Sequence, residues 1–476
     1  MEPHTPKKRR WLGWAIPCLL LVCFLLYFLL GALLPNLRHP TVSRSFAADA
    51  AAAEYTSDTP GGEQVRYLPD NQEALELRLA MAKAAQEEII LSTFDFDADE
   101  PGLQLLSALL EAADRGVTVK VLVDGVSGWL DMYASPWFQA LAAHPNAEIK
   151  IYNPVSSLLP WKDMYRLHDK YFIVDQQMYL LGGRNSTDLF LGSGYPGQNM
   201  DSEVFVRRTE PRSGDSTEQL LDYFEEIWAL EACKPVVCTD PAAAGNKGQA
   251  LREIYAGLPQ QFPKAFEPDY LEKVETVEAS KITLLSNPVE PENKAPELWC
   301  AMTELMKQGD DILVYTPYVI LSDEMREDLA AVAADSSSFT LVLNDVTSGA
   351  NPFGCVDYLN QKEEILATGV TVGEYLGEQS LHTKNVLIDD RLCLVGSFNF
   401  DMRSAYLDTE LMLVIDSPEL NAQLRQSAQD NLDRCRLVSQ SGEILGENYV
   451  PRDLTGGKKA LYGLLQQLVK PFRCLL

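Results

Sequence analysis

Apolar and polar positions along this chain fall into two series of short runs, and the second series repeats the first. Between Asn71 and Gln86 the apolar residues recur at helical spacing, and Glu87–Phe96 (EEIILSTFDF) then reads as a strand. Leu103–Arg115 predicts a helix, Val117–Asp124 a strand, Trp129–Ala143 a helix and Ala147–Tyr152 a strand. The order returns after roughly 200 residues, a period long enough for a whole lobe. Leu298–Gln308 is helical, Asp311–Tyr318 a strand, Glu324–Ala334 helical, Phe339–Asn344 a strand, Tyr358–Thr368 helical and Val370–Tyr375 a strand. Strands alternating with helices predict an α/β architecture, and the repeated order predicts two α/β lobes from a duplication.

The flanks have different patterns. Trp11–Leu34 holds 24 residues without a charge, and about 20 suffice to cross a bilayer as a helix. Lys7, Lys8, Arg9 and Arg10 precede this run, whereas Arg38 and Arg44 follow it, so the charge bias puts the N-terminus in the cytoplasm and the rest outside. A cleaved signal peptide is the competing reading, supported by the small residues at Ala47–Ala53 but opposed by the length of the apolar run. Residues 35–68, rich in Ala, Ser, Thr, Pro and Gly, read as a flexible tether. The expected organisation is a cytoplasmic tail (1–10), a transmembrane helix (11–34), that linker, lobe 1 (69–232), a connector with short helical pieces (233–278), lobe 2 (279–453) and a C-terminal helix (454–476). In that last segment Leu461, Leu464, Leu465 and Leu468 share one helical face, flanked by Lys458, Lys459, Lys470 and Arg473. An apolar stripe edged with basic residues predicts a helix lying on an anionic lipid surface; an ordinary helix packed on the body is the alternative.

Charge narrows the partners. The chain carries 40 basic and 68 acidic residues, a net of −28. A body so acidic argues against nucleic acid as partner, because such binders neutralise phosphates with clustered Lys and Arg. Two of the nine cysteines, Cys18 and Cys23, fall in the apolar run, and the remaining odd number cannot all pair within one chain. A bridge between Cys233 and Cys238 is permitted outside the cell, and free thiols are equally compatible. No cysteine–histidine cluster has zinc spacing and no phosphate-binding glycine loop is present, so no metal or other cofactor is expected.

The chemistry lies in a repeated motif. Leu167–Asn185 reads LHDKYFIVDQQMYLLGGRN and Leu381–Asn399 reads LHTKNVLIDDRLCLVGSFN. Each has the skeleton H-x-K-x4-D-x6-G, with His168, Lys170, Asp175 and Asn185 in the first copy and His382, Lys384, Asp389, Ser397 and Asn399 in the second. Two of the chain's five histidines sit at identical places. Alternation on a strand puts each His and Lys on one face, and the small residues after the second strand let backbone approach a ligand. Two imidazoles and two ammoniums around one point suit a phosphate: cations hold the anion, one neutral His attacks and one protonated His serves the leaving group.

These paired motifs resemble the phospholipase D superfamily over roughly Glu87 to Glu410. The Gly-Gly-Arg-Asn corner ending at Asn185 and the run Asn399-Phe-Asp401-Met-Arg403-Ser404 resemble bacterial cardiolipin synthases. The resemblance implies one active site between two lobes and a phosphatidyltransferase that joins phosphatidylglycerol molecules through a phosphohistidine. His168 and His382 are then nucleophile and general acid; the residues leave the order open, and family habit favours His168 as nucleophile. Lys170 and Lys384 hold phosphate oxygens; Asn185, Ser397 and Asn399 hydrogen-bond them; Asp175 and Asp389 brace the motif's backbone more than they do chemistry. Glu410 matches the acid that orients a catalytic His, and Glu203 is its expected counterpart after a seven-residue insertion around Gly192–Asn199. Arg184 is expected either to hold a second phosphate or to pair with an acid in the body. The expected partners are phospholipid and membrane. Phospholipase D hydrolysis is the main alternative, and a nuclease or a non-catalytic lipid-binding protein are more distant ones.

Overall fold

In the computed structural model, residues 9–156, 158–446 and 449–476 are described. Lys7 and Lys8, on which the predicted orientation partly rests, lie outside them, and nothing is described of the side chains of Arg9 and Arg10.

Each lobe is built on one nine-stranded mixed sheet, and the two sheets have the same plan. The first contains β1 (Glu63–Leu68), β2 (Glu88–Thr93), β3 (Thr118–Asp124), β4 (Ala147–Tyr152), β5 (Tyr171–Val174), β6 (Met178–Gly182), β7 (Glu203–Arg208), β8 (Cys233–Pro235) and β9 (Val277–Ala279), in the spatial order β8-β4-β3-β2-β5-β6-β7-β1-β9. Lobe 2 contains β10 (Lys281–Ser286), β11 (Asp311–Tyr315), β12 (Val319–Ile320), β13 (Ser338–Asn344), β14 (Thr371–Tyr375), β15 (Asn385–Ile388), β16 (Leu392–Gly396), β17 (Phe400–Asp401), β18 (Leu411–Asp416), β19 (Cys435–Val438) and β20 (Ile444–Leu445). Its order is β10-β18-β16-β15-β11-β13-β14-β19-β20, with β12 and β17 forming a separate small pair. In both sheets three parallel strands (β2, β3, β4; β11, β13, β14) adjoin an antiparallel hairpin (β5–β6; β15–β16).

Strand alternation sorts the core into layers. Ile89 and Leu91 face lobe 1's own helices while Ile90 faces the other lobe; Ile312 and Val314 face lobe 2's helices while Leu313 and Tyr315 face the first. One shared apolar layer therefore lies between the sheets, joined by helices Ser216–Trp228 and Pro418–Leu432. Burying both faces explains why these strands read as nearly continuous apolar runs.

Three expectations need correction. Residues 35–68 are ordered and folded onto the body. Ser43 caps a helix α2 (Arg44–Ala52) by accepting from the Phe46 amide at 3.1 Å, Tyr55 is buried in the lobe 2 core, and β1 pairs with both β7 and β9. An alanine run has high helix propensity, which outweighs its look of a linker. The 233–278 connector belongs to lobe 1: its helix Pro241–Gln261 runs 21 residues and buries Leu251 and Leu258. The helix read at Trp129–Ala143 is broken into a π-turn (Gly128–Met132) and a helix (Pro136–Ala142), because Pro136 starts a new helix rather than continuing one.

Helix α1 (Arg9–Leu33) carries the apolar run, and Trp14, Leu19, Leu20 and Leu25 on it are all exposed. The C-terminal helix Gly456–Val469 leaves Leu461, Leu464 and Leu468 exposed, with Leu465 half-buried. All nine cysteines are free thiols, Cys233 and Cys238 among them.

Candidate active site

The two motif histidines sit just ahead of β5 and β15, and each is fixed by the opposite lobe. The His168 amide donates to Thr409 Oγ1 at 3.1 Å, and the His382 amide to the Met200 carbonyl at 2.7 Å. The side chains cross in the same way. His168 Nδ1 meets Glu410 Oε1 at 2.8 Å, and His382 Nδ1 meets Asp201 Oδ2 at 2.6 Å. Each lobe thus supplies the imidazole of one pair and the acid of the other. A carboxylate on Nδ1 sets the tautomer, leaving Nε2 for chemistry.

Glu203 does not orient a histidine. It forms a buried two-point ion pair with Arg78, at 2.6 and 2.7 Å. The strand register explains the offset: Gly182 pairs with Glu203, and the equivalent Gly396 pairs with Met412. Two residues earlier on each strand come Asp201 and Glu410. From Asn185 to Asp201 is 16 positions and from Asn399 to Glu410 is 11, so the lobe 1 insertion has five residues, not seven. The stretch Asp201-Ser-Glu203 holds two acids, and only the strand register separates them.

Ser397 also has a different task. Its hydroxyl donates to Glu410 Oε2, and that of Ser404 donates to Glu410 Oε1 at 2.7 Å. Arg184 is fully buried, donates to the carbonyls of Leu68, Pro69 and Asp201 at 2.6 to 2.8 Å and lies 3.7 Å from Glu203 Oε1, so of its two expected roles the structure shows the pairing with an acid in the body. Asp175 and Asp389 brace backbone as expected. Asp175 accepts from the amides of Gln86, Glu87 and Glu88, and Asp389 from those of Asp310 and Asp311, all at 2.8 to 2.9 Å.

The lysines take matching positions. Lys170 Nζ donates to the His168 carbonyl at 2.5 Å, and Lys384 Nζ donates to that of His382. Asn185 and Asn399 are buried with their Oδ1 atoms unpartnered, and Asn399 Nδ2 is 3.4 Å from the Tyr318 hydroxyl. An unpartnered amide oxygen accepts, so these two fit a hydroxyl of a ligand, while the amide nitrogens are the donors for an anion. Phe94 lies edge-on to His168 with ring centres 5.5 Å apart, and Phe190, just ahead of the insertion, lies 4.8 Å from His382. Neither ring has a role that the motif spacing could indicate.

Burial governs the protonation states. It pushes Lys170 down to about 7 and Lys384 down to about 8. His382 is pushed down to about 4 by burial and Lys384, against the pull of Asp201. His168 is held well below its usual value by burial and by Lys170 and Lys384. Burial alone would raise Asp201, but Lys384 and His382 outweigh it and hold the carboxyl below its usual range. Burial holds the Glu410 carboxyl well above its usual range, with Lys170 and the two serine hydroxyls pulling against it. A phosphate anion placed here meets two cations and two imidazoles whose Nδ1 atoms face acids.

The sequence model for the cardiolipin synthase phospholipase D-like domain matches residues 79–228 and 302–431, one stretch in each lobe. The chain belongs to this family. Cardiolipin synthase C of Escherichia coli (strain K12) is 26% identical over 418 residues, covering 78% of this chain and 85% of its own. An uncharacterized protein of Helicobacter pylori (strain ATCC 700392 / 26695) is 24% identical over 417 residues, covering 80% of this chain and 81% of its own. Phosphatidylserine synthase of Haemophilus influenzae Rd KW20 has a crystal structure of similar fold, with a TM-score of 0.61, 15% identity, and coverage of 91% of this chain and 99% of that one. Members of this cardiolipin synthase-like family are enzymes of phospholipid synthesis, and the paired motifs of this chain fall within its matched stretches.

Proposed function

We propose that the chain is a membrane-anchored phosphatidyltransferase that makes cardiolipin from two phosphatidylglycerol molecules. The observation that carries the reading is the crossed pairing of His168 with Glu410 and His382 with Asp201 beside two buried lysines. His168 Nε2 attacks the phosphodiester phosphorus, forming a P–N bond as the P–O bond to the head-group glycerol breaks. The leaving alkoxide takes a proton from His382 Nε2, a proton the site takes up as the phosphate anion binds and offsets the repulsion from Lys384. The head-group hydroxyl of a second phosphatidylglycerol then attacks the phosphorus, returns its proton to His382 and breaks the P–N bond. Lys170, Lys384, Asn185 and Asn399 hold the phosphate oxygens, and the two ammoniums offset the charge that builds on them.

Helix α1 is the proposed anchor, long and apolar enough to span, with the N-terminus in the cytoplasm and the body outside. The exposed leucines of the C-terminal helix support a second contact with lipid, because that helix leads into a short turn (Lys470–Leu475) that touches α1.

The test uses the purified full chain in mixed micelles with acyl-labelled phosphatidylglycerol. Cardiolipin and free glycerol in equal amounts are expected; phosphatidic acid alone would make water the acceptor and overturn the transferase reading.

A further inference from the structure

The two lobes share a plan but not a surface. At the ends of the parallel strands that carry the site, lobe 1 has longer, apolar loops, and lobe 2 has shorter, polar ones. After β3 come Trp129, Leu130 and Tyr133, each more than half exposed, and after β4 come Leu158 and Leu159, exposed by 72% and 38%. The equivalent stretches of lobe 2 read DVTSGAN after β13 and LGEQS after β14. The lobe 1 loops are neighbours of each other and of the site. A Cβ on Gly125 would strike the Asn153 carbonyl, Arg166 donates to that same carbonyl at 2.7 Å, and Asp124 accepts from the Leu167 amide at 2.9 Å, one residue before His168.

Helix α1 stands against these loops. Tyr27 donates its hydroxyl to the Leu158 carbonyl at 2.6 Å and meets Trp161 edge-on at 6.5 Å, and Gly31 lies against Pro160. Tyr27 is six residues before the helix ends at Leu33, about 9 Å along its axis at 1.5 Å per residue. If α1 crosses a bilayer, the Leu158 loop lies at the depth where amphipathic segments settle, about 5–10 Å below the head groups. Trp and Tyr beside leucines are the side chains favoured at that boundary. Asp131, partly exposed beside Leu130, converges with Asp95 and Asp97 of the loop after β2 within 4.8 Å, and burial with that mutual repulsion pushes Asp97 up to about 7.

We infer that the lobe 1 rim, Trp129, Leu130, Tyr133, Leu158 and Leu159, is seated in the bilayer, so that the active site opens onto lipid on its His168 side and onto water on its His382 side. This rests on the reading of α1 as an anchor. Phospholipid then reaches the site from the lobe 1 rim without leaving the membrane, and a released water-soluble alcohol departs past lobe 2. An apolar patch of this kind otherwise has no reason to stay uncovered beside a polar site.

The test is photo-crosslinking of the full chain in phosphatidylglycerol-containing liposomes. Leu130→benzoylphenylalanine and Leu158→benzoylphenylalanine are compared with Gln379→benzoylphenylalanine on the lobe 2 rim. At least fivefold more lipid adduct is expected at 130 and 158 than at 379; equal yields overturn the inference. In the unsubstituted chain, lipids brominated on their acyl chains should quench part of the tryptophan emission. That quenched part should shrink in Trp129→Phe; an unchanged fraction counts against the inference. Neither readout needs turnover. Adducts without cardiolipin formation would therefore sink the proposed reaction and leave the membrane-facing rim standing, and cardiolipin formation without adducts would do the reverse.

Discussion

At the scale of single residues, the lobes have diverged in a compensated way. Lobe 2 uses Glu410 with Ser397 behind it; lobe 1 uses the shorter Asp201 with Gly183 behind it. A Cβ at position 183 would lie 2.4 Å from Asp201 Oδ1, so the missing hydroxyl makes room for the acid. Gly183→Ser should therefore displace Asp201 and depress kcat while leaving the fold intact, as read by steady-state kinetics beside circular dichroism; unchanged kcat would argue that Asp201 is not held by this fit. Asp201→Asn weakens the acid's hold on His382 and should lower kcat by about a hundredfold or more. Glu203→Gln, only two positions away, should act differently. It leaves the Arg78 charge buried with a weakened partner, a change that costs about 3–5 kcal/mol of stability, and should lower the melting temperature far more than it changes turnover per folded molecule. If Glu203→Gln proves as inactive as Asp201→Asn while equally stable, the register-based assignment is wrong.

At the scale of elements, each motif hairpin is tied at its far end by an aspartate in left-handed conformation. Asp175 and Asp389 both have φ near 52°, and each gathers backbone amides at the start of the adjoining parallel strand. Asp175→Ala removes the acceptor from three amides, of which those on Gln86 and Glu87 are open to water. The expected loss is about 1–3 kcal/mol, measured by chemical denaturation, with kcat per folded molecule nearly retained. A much larger fall in kcat would move Asp175 into the chemistry. The longer loop ahead of β7 is the other asymmetric element: it sets Phe190 against His382 where Phe94 sets itself against His168 from a different strand end. These rings exclude water from the imidazoles, which is one source of their depressed basicity.

For the whole molecule, charge from both lobes converges in one buried place. Burial lowers Lys170 to about 7 and Lys384 to about 8, so near neutral pH the empty site is short of protons relative to solvent-exposed groups. An anion favours the protonated forms and draws protons in as it binds. Affinity for inorganic phosphate or vanadate, measured as a competitive inhibition constant, should therefore tighten as pH falls from about 8.5 to 6, the window set by those two lysines. A constant that is flat over this window would mean that neither lysine titrates there.

The sequence by itself determined the duplication, the α/β class, the two His–Lys pairs and the apolar N-terminal run, because these reside in local periodicity and in fixed spacing within one hairpin. Tertiary structure alone decided which acid serves which histidine. Glu410 and Asp201 reach across lobes, and their equivalence depends on a strand register that an insertion shifts in number but not in space. It also chose between the two sequence readings of Arg184 and moved Glu203 to the scaffold, since an ion pair between Glu203 and Arg78 on a distant helix leaves no trace in spacing. The ordered path of residues 35–68 was hidden for the same reason. A six-residue strand and an alanine helix become stable only against the sheet and helix that cover them, and neither cover is a neighbour in sequence.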